Sequence, residues 1–187
     1  MGRRVVLLGL LLVLLRPRAA TSTVVIPPSF DELVARAQTI FVGEVIDRRA
    51  IWDSTTAGRA IVTQVSFKVD EVWKGSVGPM TRLEFLGGTI GDVTLDVDGV
   101  PRFAVGQRDV LFVSADVRAI SPLVGFMFGR LRVNRDASGL DRVRGFDGRA
   151  LASVAEIGRP QVAVTRSLSP LRLTEVAAAI RARTQLR

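Results

Sequence analysis

Few residues in this 187-residue chain have the types and spacing that chemistry needs. Asp92, Asp96 and Asp98 lie close together, and carboxylate oxygens suit a hard cation such as calcium. Asp98-Gly99 resembles the turn of a calcium loop. An EF-hand, however, needs a Glu six residues after its Gly, and that position is Val105. Extended, Asp96 and Asp98 share one strand face, so a solvated edge is the competing reading. No metal or cofactor is expected, and these three are the residues a calcium ion would use. Gly87-Gly88-Thr89-Ile90-Gly91 has the composition of a phosphate loop. Phosphate cradles lead into a helix N-terminus. Here a strand is expected next, so the segment reads as a turned connection. Ser66 with Lys68, and Lys74 with Ser76, are the pairs a Ser–Lys hydrolase would need. Such a lysine is buried, and both are expected at the surface. A carboxylate pair for glycoside hydrolysis depends on three-dimensional spacing, and nothing in the order of residues singles one out.

Absences narrow the field further. The chain has no His and no Cys. A Ser-His-Asp triad, a His-ligated zinc or haem, and thiol chemistry are therefore excluded. It has no Tyr either, and its aromatics are nine Phe and two Trp. The expectation is a protein without catalytic residues.

The N-terminus governs how the charge is read. Arg3-Arg4 precede an unbroken apolar run from Val5 to Leu15. A membrane-spanning helix needs ~20 apolar residues, so the run is short. A charged start, a short apolar core and small residues at Ala20-Thr21-Ser22 read as a secretory signal over residues 1–22. A secreted or periplasmic location follows, with no stable membrane span after cleavage. Removing the leader's four arginines from the 26 basic residues leaves 22 against 18 acidic. The net charge falls from +8 to +4. The remaining positive charge is scattered with no dense stripe, so nucleic acid is not an expected partner.

The elements that position these residues are mostly strands. Pro27-Pro28 forbids helix. Ser29 and Glu32 then form a capping box. The helix runs to about Ala37, with Phe30, Leu33, Val34 and Ala37 on one face. Strands are expected over Thr39–Asp47, Ala60–Asp70, Thr81–Leu86, Asp92–Val97, Asp109–Ser114, Gly129–Asn134 and Leu140–Val143. A polar loop is expected from Arg48 to about Gly58, and a bulge where Val72-Trp73 break the alternation. Phe126-Met127-Phe128 reads as core-lining rather than as an exposed patch. Loop is expected over 145–170. A closing helix is expected from Thr174, as cap, to about Arg183, with Val176, Ala177 and Ile180 inward. Many short strands with flanking helices predict a mainly β barrel or sandwich.

Three stretches carry a family resemblance. They are 37–45 (AQTIFVGEV), 65–75 (VSFKVDEVWKG) and 103–113 (FAVGQRDVLFV). Together they resemble bacterial exported proteins related to the tissue inhibitors of metalloproteinases, the netrin-like domains. The resemblance spans roughly residues 25–134. It implies an OB-like five-stranded β-barrel, here with an N-terminal helix and a C-terminal hairpin and helix extension. The domain division is 1–22 signal, 23–144 barrel and 145–187 extension. Gly43, Phe67, Gly75, Phe103, Gly106 and Phe112 are the scaffold residues of the motif. Gly43 and Gly106 suit bends or bulges, and Phe41, Phe67 and Phe112 suit the barrel interior.

In the animal inhibitors an N-terminal Cys chelates the protease zinc. The matching region here, Thr23 to Pro28, has no Cys. The resemblance still implies a partner, an exported protein such as a metalloprotease. Thr23, Val24, Val25, Gly87 and Gly88 are the expected contacts. The leading expectation is a non-catalytic, exported protein-binding domain of inhibitor type. The alternatives are a structural envelope or surface domain without a specific ligand, and a hydrolase using carboxylates or Ser/Lys.

Overall fold

The computed structural model describes residues 27–55, 58–116, 120–158 and 170–185. The expected leader 1–22 and the expected contacts Thr23, Val24 and Val25 lie outside the described residues. Helix α1, Phe30–Arg36, begins as its sequence dictates. Ser29 Oγ accepts from the Glu32 backbone N–H, and the Glu32 carboxylate accepts from the Ser29 N–H at 2.7 Å. Phe30, Leu33 and Val34 form its buried face.

Among the described residues eight strands follow. They are β1 (Thr39–Thr55), β2 (Gly58–Lys74), β3 (Met80–Leu86), β4 (Gly88–Ile90), β5 (Val93–Leu95), β6 (Arg108–Val113), β7 (Arg130–Arg135) and β8 (Asp141–Arg144). Helix α2, Leu173–Thr184, closes the described chain. Six strands form one antiparallel sheet in the order β3-β2-β1-β6-β7-β8, and β4 with β5 forms a separate hairpin. The fold is mainly β, as expected. The order β3-β2-β1-β6 is a Greek key: three consecutive hairpin strands, and a fourth returning beside the first by a long connection.

Both faces of the sheet are covered, because apolar side chains alternate to either side of each strand. Ile40, Val42, Val110 and Phe112 point to the layer that holds α1 and α2. Phe41, Val45, Phe67, Phe85, Phe103 and Leu111 form a second cluster on the opposite side. Phe41 and Phe67 thus share an interior, with rings edge to face at 6.0 Å. Phe112, expected beside them, faces the helices instead. Its place in β6 has the opposite parity to Leu111.

Four expectations of local structure are corrected. Residues 48–55 are not loop: Arg48 to Thr55 pair with β2 from Val65 back to Gly58. The ladder satisfies their backbone groups, so the polar composition does not break the strand. Gly88–Ile90, expected as a connection, is half of the β4–β5 hairpin. The strand expected over Asp92–Val97 shrinks to Val93–Leu95. Thr174 does not cap α2; it lies inside the helix, and the Glu175 carboxylate accepts from the Arg172 N–H at 2.7 Å.

Other expectations are met. Ile40 pairs with Lys74 and Phe41 with Val72, so Trp73 is the extra residue of a bulge. Trp73 thereby turns into the core while Val72 stays exposed. Gly43 sits at a second register shift, and a Cβ there would press on Lys68 O and the Phe41 ring at 3.0 Å. Gly75 has φ +72°, and a Cβ would lie 2.4 Å from Gln38 O, so only glycine fits that turn. Gly106, also at positive φ, turns the chain into β6. Among the described residues of 145–170, one short 3-10 turn occurs, Val154–Glu156. Leu151 and Ile157 nevertheless pin the segment to the core. One further expectation is corrected: Phe126-Met127-Phe128, expected to line the core, form a half-buried 3-10 turn over Phe126–Gly129 outside both core clusters, with Phe128 edge to face with Phe146 at 5.1 Å.

The β7–β8 hairpin supplies a pH prediction. Asp136 accepts from Ser138 Oγ at 2.6 Å, Arg142 Nε at 2.7 Å and the Leu140 N–H at 3.0 Å. The Ser138 bond, then the Arg142 bond, hold its carboxyl far below the ordinary 3.8. Arg135 and then Arg108 lower Asp141. Folded values below the unfolded ones mean stability that is present above about pH 4 and lost below it. Chemical denaturation from pH 5 to pH 2 should show stability falling, and Asp136→Asn should flatten that fall.

Candidate functional site

The β4–β5 hairpin leans over one end of the sheet and leaves a cleft of about 310 Å³ beneath it. Val65, Phe85, Val100 and Phe103 form an apolar floor. Ala50 and Thr63 of the β1–β2 ribbon form one wall, and Leu95 and Val97 the other. Arg48, Asp96 and Arg102 stand at the mouth. Volume and mixed lining match those of ligand and side-chain pockets.

Gly87 and Gly88 hinge the hairpin onto the sheet. The Gly87 N–H donates to Ile61 O at 2.8 Å, and Thr63 Oγ1 donates to Gly87 O at 2.6 Å. Gly88 has φ +140°, and a Cβ there would meet Thr63 Oγ1 at 2.4 Å. The backbone therefore approaches the ribbon more closely than any side chain permits. Two of the expected contact residues thus line the cleft. Arg48 Nη1 donates to Phe103 O at 3.1 Å, tying the ribbon to the loop that closes the far side.

Beyond the cleft the ribbon continues alone. β6 pairs with β1 only over Thr39–Glu44, and β3 pairs with β2 only over Val62–Lys68. The stretch Trp52–Thr55 opposite Gly58–Ile61 passes both neighbours, an arm of about 13 Å at ~3.3 Å per residue. Trp52 continues the row Arg48, Ala50 that walls the cleft. It is 42% exposed, and the Arg59 guanidinium stacks over its ring at 5.0 Å. The sequence reading missed this arm. Its signal was Ile51-Trp52 inside a segment otherwise polar enough to pass for loop.

The three candidate calcium ligands are not brought together. Asp92, Asp96 and Asp98 are all exposed, and Asp96 pairs with Arg102 at 2.6 Å. Among the described residues no group of three His, Cys, Asp or Glu is placed to hold a metal ion. Asp98-Gly99 does make a turn, but it opens into an irregular loop rather than a second paired strand.

Lys68 is exposed, as expected, whereas Lys74 is half-buried. Lys74 Nζ donates to Val34 O at 2.6 Å and Ala37 O at 2.5 Å, carbonyls at the C-terminus of α1. It thus serves as a helix cap. It borders a wider groove of about 700 Å³ with Asp31, Trp73 and Arg183. That groove's cations have structural partners: Arg183 pairs with Asp31 and lies over the Phe30 ring at 4.7 Å. The cleft under the hairpin is therefore the better candidate.

A buried ion pair braces the cleft from behind. Arg130 Nε and Nη2 both donate to Asp109 at 2.9 Å. The guanidinium also reaches Arg102 O and Gln107 Oε1, and lies over the Phe103 ring at 4.2 Å. Burial pushes the Asp109 carboxyl up, and Arg130 opposes that. The pair thus fixes the 102–107 segment that carries Phe103 into the cleft floor. No protein-family model matches the chain, and no curated protein matches it.

Proposed function

We propose that this chain is an exported, non-catalytic protein-binding module whose contact face is the β1–β2 arm with the cleft at its root. The observation that carries the reading is Trp52, large, aromatic and 42% exposed, held by Arg59 on a ribbon beyond the sheet. Trp and Arg are enriched at interface hot spots, Trp because it buries a large rigid ring and Arg because its planar guanidinium stacks and donates in a fixed fork. An apolar-floored cleft beside them suits one inserted side chain.

The OB-like, netrin-type scaffold belongs to the same proposal. The Greek-key order of β3-β2-β1-β6, extended by β7, fits a partly open five-stranded OB barrel. The segment after residue 119 supports it by linking two strand ends: Leu86 N–H donates to Ile120 O, and Ser114 N–H to Pro122 O. The secretory signal read from the sequence over residues 1–22 supports a location outside the cytoplasm. Its partner is an exported protein, with a metalloprotease the first to test.

The test is capture from the secreted fraction of the producing cells, with the mature chain and Trp52→Ala as parallel baits. A partner held by the first and weakened about 30-fold or more in the second is expected, the size of a hot spot. Equal capture by both baits would refute the arm as contact face. Titration against secreted metalloproteases tests the inhibitor reading separately, and no inhibition at micromolar concentration would end it.

A further inference from the structure

The sheet face that carries Phe41 and Leu111 changes character toward β8. Asp109 of β6 stands opposite Arg132 of β7, and Arg132 opposite Arg144 of β8. Directly opposed residues share a face, so this row is charged where the neighbouring strands are apolar. Each surrounding arginine has a carboxylate. Arg130 is held by Asp109, Arg142 by Asp136 and Arg149 by Asp147. Arg132 and Arg144 have no ion-pair partner among the described residues.

Their placement makes this unusual. Like charges directly opposite on neighbouring strands repel. Arg132 Nε is buried and has no hydrogen-bond acceptor. Arg144 Nη1 donates to Gly148 O at 3.1 Å. A Cβ on Gly148 would lie 3.6 Å from Arg132 Nη1. Both guanidinia therefore come to the same turn, 145–148, with donors to spare. Arg144 is exposed, so the pair is open to solvent.

We propose that Arg132 and Arg144 form a binding site for a dianionic oxyanion group, phosphate or sulfate. Among the described residues neither guanidinium holds a carboxylate directly, and the Asp109 carboxylate in the field of Arg132 has both oxygens bonded to Arg130. Two such guanidinia suit a double negative charge, and phosphate carries about −1.5 to −2 at neutral pH. The planar fork of each arginine meets tetrahedral oxygens in bidentate fashion. A single carboxylate would leave one positive charge unmatched. The site is separate from the arm and the cleft and does not depend on their role.

Thermal unfolding of the mature chain, at constant ionic strength, tests the site with inorganic phosphate, sulfate, acetate and chloride. Phosphate and sulfate should raise Tm saturably, with acetate at least tenfold weaker, as one unmatched charge implies. Arg132→Gln and Arg144→Gln should each weaken the response about tenfold or more. Arg144→Lys keeps the charge without the fork, and should weaken it several-fold with the fold intact. Arg135→Gln, on the other sheet face, should leave it unchanged. Sedimentation with phosphatidic acid vesicles, whose headgroup is a phosphate monoester, reversed by free phosphate, would assign the natural ligand to a lipid headgroup. Phosphate binding without sedimentation would assign it to a soluble ester or ion. No saturable shift up to about 50 mM phosphate would overturn the proposal. So would a shift that survives both Gln substitutions.

Discussion

Replacing Arg130 by Met is expected to destabilise the protein by about 3–5 kcal/mol, the cost of stranding one partner of a buried ion pair. The reason is the burial of both groups: Asp109 is 0% exposed and Arg130 2%. The loss also removes the Arg130 donor from Arg102 O and leaves Gln107 Oε1 with the Ala104 N–H alone. For a domain of this size the Tm should drop by roughly 10 °C. Urea denaturation gives the free energy directly. The pH dependence of the deficit supplies a second readout. Burial already raises the Asp109 carboxyl in the fold, and without Arg130 it should rise further. Protonation then relieves the stranded charge, so the variant's deficit should shrink as pH falls from 7 toward 5. Replacing both partners, Asp109→Leu with Arg130→Met, should recover part of the loss, since well-packed apolar pairs substitute for buried ion pairs. A deficit for Arg130→Met below about 1 kcal/mol would contradict the bracing role.

Phe112→Ala is expected to cost about 3–5 kcal/mol, the range for emptying a fully buried aromatic site. Phe112 is 0% exposed and stands at the contact between β6 and α1. Its ring meets Phe30 edge to face at 6.3 Å, a contact worth about 0.5–1.5 kcal/mol beyond the area buried. The cavity would open between helix and sheet, so amide exchange should quicken across Phe30–Arg36 first. Phe112→Leu keeps much of the volume and should cost nearer 1.5 kcal/mol. If exchange quickened instead around Phe67 and Phe103, the assignment of Phe112 to the helix-bearing layer would be wrong.

That assignment illustrates how far the order of residues carries. Ser29 and Glu32 announce the start of α1 because a capping box is made within four residues. Val65, Phe67 and Val69 announce β2 by their period of two, and Val110 to Val113 announce a central strand by being apolar on both faces. The bulge at Trp73 was legible too, because an extra residue breaks the local phase. Each of these signals lies within a few positions. What failed was longer in range. Residues 48–55 read as loop because their strand pairing comes from Gly58–Val65 rather than from their own composition. Thr174 looked like a cap, yet the chain enters α2 earlier, where Leu171 and Leu173 are drawn into the core.

The candidate site follows the same division. Gly87 and Gly88 stood out in the sequence as residues without side chains, and the fold uses them as the hinge of the β4–β5 hairpin. Their neighbours in the cleft come from β1, β2, β3 and the 95–103 segment, which no spacing rule connects. Asp109 and Arg130 are 21 residues apart, and neither is marked locally as buried. By itself the sequence determined the absence of His and Cys chemistry, the capped first helix, the strand-rich class and the positions that only glycine can fill. The tertiary structure alone decided which sheet face each apolar residue joins, which arginines find a carboxylate, and that the β1–β2 ribbon outruns its neighbours. Backbone preference acts over a turn or a strand. Burial and ion pairing are settled between segments far apart in the chain, where sheet register and layer packing choose the neighbours.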